Sequence, residues 1–170
     1  MKLSIGCGDR RLPGYTGVDV IQRAAVDIIA PADKIPLADG VADEVLAIHL
    51  VEHLLPWTVP DALGEWFRLL KPGGLLVLEM PDFLKSCRNI AEGLKGKKHP
   101  DQMGMWGCFG DPRAKDPWML HRWGYWFDSL KPLVEAAGFI GVVERDTRFH
   151  AAGGNGKRDF RLEACKPPNA

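Results

Sequence analysis

The first twenty residues constrain the fold more than any other segment of this chain. A short apolar run over 2–5 ends at Gly6 and Gly8, and a second apolar run over 15–20 carries a carboxylate at Asp19. Glycines let the backbone approach a ligand closely, and an acid at the end of the next strand can accept hydrogen bonds from ribose hydroxyls. The segment therefore predicts two parallel strands of an α/β fold that bind a nucleotide-type cofactor.

The short distance from Gly6 to Asp19 indicates which cofactor. The dinucleotide-binding form of this motif has a third glycine and places its acid about 20 residues further on, after a full helix. Here the pair Pro13-Gly14 leaves room for only a turn or two of helix. A pyrophosphate would need the positive end of a longer helix, whereas S-adenosylmethionine carries a ribose and an adenine but no phosphate. The shortened connection therefore favours S-adenosylmethionine over NAD.

Length and composition indicate an ordinary soluble globular protein. A chain of 170 residues can bury a core without disulfides or metals, and we expect one domain over 1–170. Basic and acidic side chains balance at 22 each, so no overall field attracts nucleic acid or an anionic membrane. The cysteines lack zinc-site spacing, and no signal peptide or apolar run of about 20 residues occurs. We expect a cytoplasmic protein.

Three chemically active side chains, His49, Glu52 and His53, follow a predicted fourth strand over 43–48. They match H-x-x-E-H, the pattern of inverted zinc peptidases, in which two histidines hold the metal and the glutamate is the general base. That pattern needs a longer helix than the segment before Pro56 allows, so we expect no metal and keep the peptidase as an unfavoured alternative. His49 is the first candidate general base, since its ordinary pKa suits neutral pH, and a pocket wall or a buried structural histidine is its other interpretation. Glu52 and His53 are weaker candidates.

A helix and a strand follow this segment. Residues 58–61 have the form of a capping box, and apolar residues recur at helical spacing as far as Leu70. Gly73 and Gly74 end the helix. The apolar run over 75–80 then predicts a buried strand.

The C-terminal part predicts a last helix and two strands. An Asp-Ser pair at 128–129 offers a cap for the helix, and Pro132 then falls in its first turn, where proline is tolerated. The strands cover 139–148 and 159–166, and the second alternates apolar and charged residues as an antiparallel strand would. Between them, the glycine-rich stretch at 151–156 predicts a mobile hairpin tip.

Residues 94–126 interrupt the regular pattern. Proline- and glycine-containing stretches alternate with many aromatic and methionine residues. Disordered segments are poor in aromatics, so we expect partial order, and long ordered loops are usually lids. We interpret the segment as a cover over an acceptor site, with Trp106, His121, Trp123 and Tyr125 as candidate lining residues. The alternatives are a packing insert, a homo-oligomer interface, or a site that stays open.

Two motifs of the chain resemble those of the class I, Rossmann-like S-adenosylmethionine-dependent methyltransferases. Ile5-Gly6-Cys7-Gly8 is similar to their first motif, and Leu-Leu-Lys-Pro-Gly-Gly at 69–74 is similar to the sequence before their fifth strand. The resemblance implies a doubly wound, mostly parallel seven-stranded sheet with an antiparallel last strand and a shortened first connecting helix. It also implies a set of residues that bind S-adenosylmethionine. This set is Ile5, Gly6, Cys7, Gly8, Asp19, Val20, Asp33, Lys34, Ile35 and His49.

The same resemblance implies roles for three of these residues. Asp19 accepts hydrogen bonds from both ribose hydroxyls, Asp33 meets the adenine amino group, and His49 lies beside the cofactor where the fourth strand ends. Among the resembled enzymes, small bacterial types that methylate an oxygen or nitrogen of a sugar or other small molecule are the most similar, which implies a small-molecule acceptor and no nucleic acid. The alternative is a catalytically inactive S-adenosylmethionine-binding module.

Overall fold

The computed structural model describes residues 1–149 and 158–170. Seven strands form one sheet. The strands are β1 (Lys2–Ile5), β2 (Tyr15–Asp19), β3 (Ile28–Ile29), β4 (Ala42–Ile48), β5 (Leu70–Pro81), β6 (Ile140–Arg145) and β7 (Asp159–Cys165). The helices are α1 (Val59–Leu69), α2 (Phe83–Ala91), α3 (Met105–Phe109) and α4 (Phe127–Ala136), and 3₁₀ turns cover Val51–His53, Pro100–Met103, Pro112–Ala114 and Pro117–Met119.

The order of strands in the sheet is β3-β2-β1-β4-β5-β7-β6. β7 runs antiparallel to both of its neighbours, and the other adjacent pairs are parallel. This arrangement confirms the predicted seven-stranded α/β sheet with an antiparallel last strand. The hairpin tip predicted at 151–156 lies outside the described residues.

The connection between β1 and β2 differs from the prediction, because residues 6–14 form turns and contain no helix. The backbone N–H groups of Gly6 and Cys7 both donate to the Val18 carbonyl oxygen, at 2.8 and 3.2 Å. These hydrogen bonds fold the chain back onto β2 directly after β1 ends. The predicted short helix is therefore absent rather than shortened.

Helix α1 begins where it was expected, but its predicted capping box is wrong. The Thr58 hydroxyl donates to the Leu55 carbonyl oxygen at 2.8 Å and does not accept from the first turn of the helix. Thr58 has helical backbone angles, which hold its side chain away from the N–H groups it would have to reach. Packing of the buried face of α1, which includes Leu63 and Trp66, fixes the helix instead.

Helix α4 begins two to three residues earlier than predicted. Its cap residue is Trp126, and Ser129 reaches back so that its hydroxyl accepts from the Trp126 N–H at 2.9 Å. The Asp-Ser pair at 128–129 therefore lies inside the helix, and Pro132 lies in the second turn rather than the first. Gly138, with φ of +99°, ends the helix as expected.

The core lies between the sheet and helices α1 and α4. Phe67 of α1 meets Phe139, which follows α4, edge to face with ring centroids 5.2 Å apart. No helix in the described ranges is both long enough and apolar enough to cross a membrane. The largest fully buried side chains are Trp66, Phe160, Leu3, Ile5, Leu46, Leu63, Leu69, Leu70, Leu76, Leu78, Met80 and Leu130.

The segment over 94–126 is folded, as its aromatic content indicated. It contains three of the 3₁₀ turns and α3. One end is tied to α2 by the Asn89 side-chain amide, which donates to the Met103 carbonyl oxygen at 2.7 Å. The other end is tied to the turn after β4, because the Arg122 N–H donates to the Glu52 carbonyl oxygen at 2.7 Å. Both anchors lie close to the carboxyl end of the sheet.

Candidate functional site

A cavity of about 800 Å³ lies at the carboxyl ends of β1, β2 and β4. Strand β1 occupies the middle position of these three, with Ile5 paired to Val18 on one side and to Ala47 on the other. The residues that follow the three strands therefore meet at one edge of the sheet. Open α/β sheets bind ligands at this kind of switch point, and the volume is typical of a site for a small organic ligand.

The turn after β1 requires its two glycines for different reasons. Gly6 has φ of +65°, and a Cβ at this position would lie 2.7 Å from Cδ1 of Leu50. Gly8 has φ of +54°, but a Cβ there would meet nothing within 4 Å. Gly6 thus permits a close approach of the turn after β4, while Gly8 leaves open space in the cavity wall where a ligand can contact the backbone.

Asp19, at the end of β2, is held in place by two backbone hydrogen bonds. Its Oδ2 accepts from the Gly8 N–H at 2.9 Å, and its Oδ1 accepts from the Ile21 N–H at 3.0 Å. A carboxylate oxygen has two lone pairs, so each oxygen retains one for a further donor. The side chain lines the cavity and can accept from two neighbouring hydroxyls, which fits the ribose of S-adenosylmethionine.

His49 occupies a strained position where β4 ends. Its φ is +50°, which is unusual for a residue other than glycine, and its N–H donates to the Glu79 carbonyl oxygen at 2.8 Å. Its Nδ1 lies 3.1 Å from Glu52 Oε1, and its Nε2 lies 3.7 Å from Asp159 Oδ2. Burial lowers the pKa of the ring, but the carboxylates of Asp159 and Glu52 outweigh burial and raise the pKa to about 9.

This environment corrects the role of general base that the sequence suggested for His49. An imidazole with a pKa of about 9 is protonated at neutral pH and has no lone pair with which to take a proton. The two carboxylates lie 3 and 110 positions away in the sequence, and the second of them, Asp159, belongs to β7. Sequence reasoning therefore had no access to the group that changes the charge of His49.

Most of the predicted cofactor residues line the cavity, but two do not. Ile35 is buried, and its N–H donates to Glu65 Oε1 at 2.7 Å, while Lys34 is exposed. The Lys34 N–H closes a turn onto the Pro31 carbonyl oxygen, which directs the chain away from the cavity after Asp33. The predicted residues that do line the cavity are Ile5, Gly6, Cys7, Gly8, Asp19, Val20, Asp33 and His49.

The candidate acceptor residues divide in the same way. Trp106 and His121 line the cavity, as does His53 from the segment after β4. Trp123 is 55% exposed and lies outside the lining, and Tyr125 is buried in the main core cluster. Those two residues are therefore not part of the wall in this structure.

Two further residues of the cavity wall were not among the predicted site residues. Trp118 belongs to a 3₁₀ turn of the aromatic-rich segment, so its residue type was the available signal. Arg158 directly precedes β7 and is buried, with its Nε 2.6 Å from Asp159 Oδ1 and its Nη1 donating to the Gln102 carbonyl oxygen at 3.2 Å. No local sequence pattern predicts a residue that reaches the cavity only through long-range strand pairing.

The arrangement of His49, Glu52 and His53 contradicts the peptidase alternative. Only a 3₁₀ turn covers Val51–His53, so the helix that the H-x-x-E-H pattern requires is absent. His49 turns toward Asp159, whereas His53 packs edge to face against His121 with ring centroids 4.9 Å apart. The two histidines therefore do not face a common metal position.

Cys7 lies in the cavity turn, and we expect it to resist alkylation. Burial and, after it, the charge of Asp19 raise the pKa of the Cys7 thiol to about 11. The reactive thiolate is thus scarce at neutral pH. Peptide mapping after brief iodoacetamide treatment should find the exposed Cys87 modified and Cys7 intact. Equal modification of the two cysteines would contradict this environment.

Comparisons with known proteins agree with the fold. Residues 3–78 match the family model described as "Methyltransferase domain". This segment contains β1 to β4, α1 and most of β5, and so includes the glycine turn, Asp19 and His49. A search of curated protein sequences found no match.

Solved structures with the same fold include several methyltransferases. An S-adenosylmethionine-dependent methyltransferase from Archaeoglobus fulgidus is 18% identical, with a TM-score of 0.64 over 97% of this chain and 85% of that chain. The 1,6-didemethyltoxoflavin-N1-methyltransferase of Burkholderia thailandensis is 16% identical, with a TM-score of 0.64 over 98% of this chain and 70% of that chain. Phosphoethanolamine N-methyltransferase 2 of Haemonchus contortus is 13% identical, with a TM-score of 0.60 over 98% and 48%.

The sheet order and the cavity at the ends of β1, β2 and β4 define a class I methyltransferase fold. Residues 3–78 match a methyltransferase-domain model, and 97% of the chain aligns with the fold of a solved S-adenosylmethionine-dependent methyltransferase.

Proposed function

We propose that this enzyme transfers the methyl group of S-adenosylmethionine to an oxygen or nitrogen of a small-molecule acceptor. The observation that carries the proposal is that one cavity contains two different walls. Backbone and a carboxylate form the first wall, at Gly6, Gly8 and Asp19. Aromatic and basic side chains form the second wall, which includes Trp106 and Trp118. Donor and acceptor can therefore be held side by side.

The first wall fits the cofactor. The open space at Gly8 accepts the methionine half against the backbone, the free lone pairs of Asp19 accept the ribose hydroxyls, and Asp33 lies beside the adenine position. S-adenosylmethionine supplies a reactive methyl group on a sulfonium. The chain then has to orient the acceptor for in-line attack and exclude water, and such positioning accounts for about 7 to 11 kcal/mol of barrier in well-oriented reactions.

The second wall supports a small acceptor. Most of it comes from the segment over 94–126, which we propose acts as the cover of the cavity. A volume of about 800 Å³ suits the cofactor together with a small molecule and not a macromolecular segment. Two of the similar structures bear the names of enzymes that methylate nitrogen in small molecules, a toxoflavin precursor and phosphoethanolamine. They support the same class of acceptor here.

An acceptor screen tests the proposal. The purified chain is incubated with S-adenosylmethionine and with pools of small alcohols, sugars, phosphorylated amines and heterocyclic amines, and formation of S-adenosylhomocysteine is measured. Turnover that depends on one pool supports the proposal. Tight binding of S-adenosylhomocysteine without turnover in any pool would instead identify an inactive cofactor-binding module.

A matched pair of tryptophans tests the second wall. Trp118 and Trp123 are exposed to the same degree, 53% and 55%, but only Trp118 lines the cavity. We expect Trp118→Ala to lower kcat/KM for the acceptor about fivefold or more, since an aromatic contact is worth roughly 1 kcal/mol beyond the area it buries. Trp123→Ala should leave kcat/KM unchanged.

Calorimetry with S-adenosylhomocysteine provides the control for both variants. Neither substitution touches the wall formed by Gly6, Gly8 and Asp19, so both proteins should bind this product as the parent does. An equal loss of kcat/KM in the two variants would contradict the assignment of Trp118 to the acceptor wall.

A further inference from the structure

Three metal-ligating side chains meet beside the acceptor wall. Glu52, His53 and His121 each offer one ligand atom, and these atoms all lie within 4.8 Å of one another. Glu52 and His53 belong to the turn after β4, and His121 belongs to the segment over 94–126, so the cluster forms only in the folded chain. We infer that this Glu52–His53–His121 cluster binds a divalent transition-metal ion with the ligand preference of Zn²⁺.

Both histidines are oriented as metal ligands usually are. His53 Nδ1 lies 3.1 Å from the Leu120 carbonyl oxygen, and His121 Nδ1 lies 3.1 Å from the Gly107 carbonyl oxygen. A carbonyl can only accept, so in each neutral ring Nδ1 carries the proton and Nε2 keeps its lone pair. Histidines that bind metals typically donate their second ring N–H to a backbone carbonyl in this way, which fixes the tautomer and the ring.

The third ligand is a carboxylate that the protein alone leaves incompletely paired. Glu52 is 2% exposed, and its Oε2 accepts no hydrogen bond from the residues that the structure describes. Its Oε1 lies 3.1 Å from His49 Nδ1. Burying a carboxylate is costly unless cations or donors satisfy both oxygens. A metal ion at the cluster would satisfy the second oxygen.

The ligand set and its position indicate what the ion does. Two histidines and one glutamate form the protein ligands of many catalytic zinc sites, which keep a further position for water or substrate. His53 and His121 line the cavity that also contains Trp106 and His49, so the open position faces the acceptor. The proposed metal site differs from the one that the H-x-x-E-H pattern suggested, because His121 replaces His49 as a ligand.

The role of the ion in catalysis rests on the proposed methyl transfer, whereas its binding does not. A hydroxyl acceptor bound to the ion has a lowered pKa and releases its proton to solvent. The acceptor oxygen then forms a bond to the methyl carbon as the carbon–sulfur bond breaks, and S-adenosylhomocysteine leaves.

Zinc titration of the chelator-treated, purified chain tests the inference. We expect calorimetry to give one Zn²⁺ per chain. The variants His53→Ala and His121→Ala should each weaken zinc binding by more than about 100-fold. That figure is the upper limit for loss of a residue that only hydrogen-bonds to a metal ligand. His99→Ala is the matched control, because His99 lies in the same segment as His121 but outside the cluster. Absence of stoichiometric binding, or unchanged binding in both ligand variants, would overturn the inference.

Two further measurements keep the test decisive if a variant folds poorly. X-ray absorption of the zinc-loaded parent should show only nitrogen and oxygen ligands near 2.0–2.1 Å, and sulfur at about 2.3 Å would place the ion on cysteines and overturn the inference. Binding of S-adenosylhomocysteine without zinc should be retained throughout. Loss of zinc with intact S-adenosylhomocysteine binding thus separates failure of the metal site from failure of the proposed function.

Discussion

Replacing Asp19 with alanine is expected to weaken binding of S-adenosylhomocysteine by about 100-fold or more. Each hydrogen bond to a charged group contributes about 1.5–3 kcal/mol, and the carboxylate has a free lone pair for each ribose hydroxyl. Two such bonds correspond to at least two powers of ten in the dissociation constant. The substitution also frees the N–H groups of Gly8 and Ile21, which Asp19 holds in the unliganded protein.

Titration calorimetry with Asp61→Ala as a control separates this effect from a general loss of negative charge. Asp61 lies on the exposed face of the first turn of α1, away from the cavity. Its removal should leave the dissociation constant within about twofold, because interactions of solvent-exposed charges are weak and are screened by salt. Equal affinities of the Asp19 and Asp61 variants would remove the basis for the cofactor assignment.

Gly17→Ala is expected to be the most destabilising single-methyl change in the chain's N-terminal part. A Cβ at Gly17 would lie 2.1 Å from the Ala25 carbonyl oxygen and 2.9 Å from Cys7 Sγ. The strand cannot move aside easily, since the Gly17 N–H donates to Asp27 Oδ2 at 2.8 Å and the Asp27 N–H donates back to the Gly17 carbonyl oxygen at 2.9 Å. Overpacking of this kind costs about 1–3 kcal/mol, or more where backbone must shift.

Thermal unfolding checks this prediction, with Gly64→Ala as its matched opposite. A loss of about 3 kcal/mol lowers the melting temperature by roughly 6–12 °C in a chain of this size. Gly64 lies exposed within α1, and a Cβ there would meet nothing within 4 Å, so alanine should stabilise the helix by about 0.5–1 kcal/mol. A Gly17 variant that melts with the parent would show that β2 and residue 25 are not in this contact.

Local patterns were sufficient to predict most of the strands, because most of them are apolar runs that end at glycine, proline or an acid. They failed where tertiary contacts decide the detail. Thr58 has the sequence of a cap, yet its hydroxyl donates to Leu55 because the backbone at 58 is already helical. The connection after β1 lacks even a short helix, because two N–H groups bond to Val18 before a helix can begin.

The candidate site shows the same division. Gly6, Gly8 and Asp19 could be predicted because they lie within thirteen positions of one another and form a local motif. Arg158 and the partner of His53, His121, reach the cavity only through the fold. No spacing rule connects residues that the sheet and the segment over 94–126 bring together from opposite ends of the chain.

The hydrogen bonds that run from the N–H groups of Arg122 and Trp123 to the Glu52 carbonyl oxygen have a mechanical consequence. They tie the late part of the 94–126 segment to the turn after β4, so any opening of the proposed cover would pivot about residues 122–123. Entry and departure of small molecules would then require movement of another part of the segment. The rate of turnover would depend on how readily that part of the segment moves.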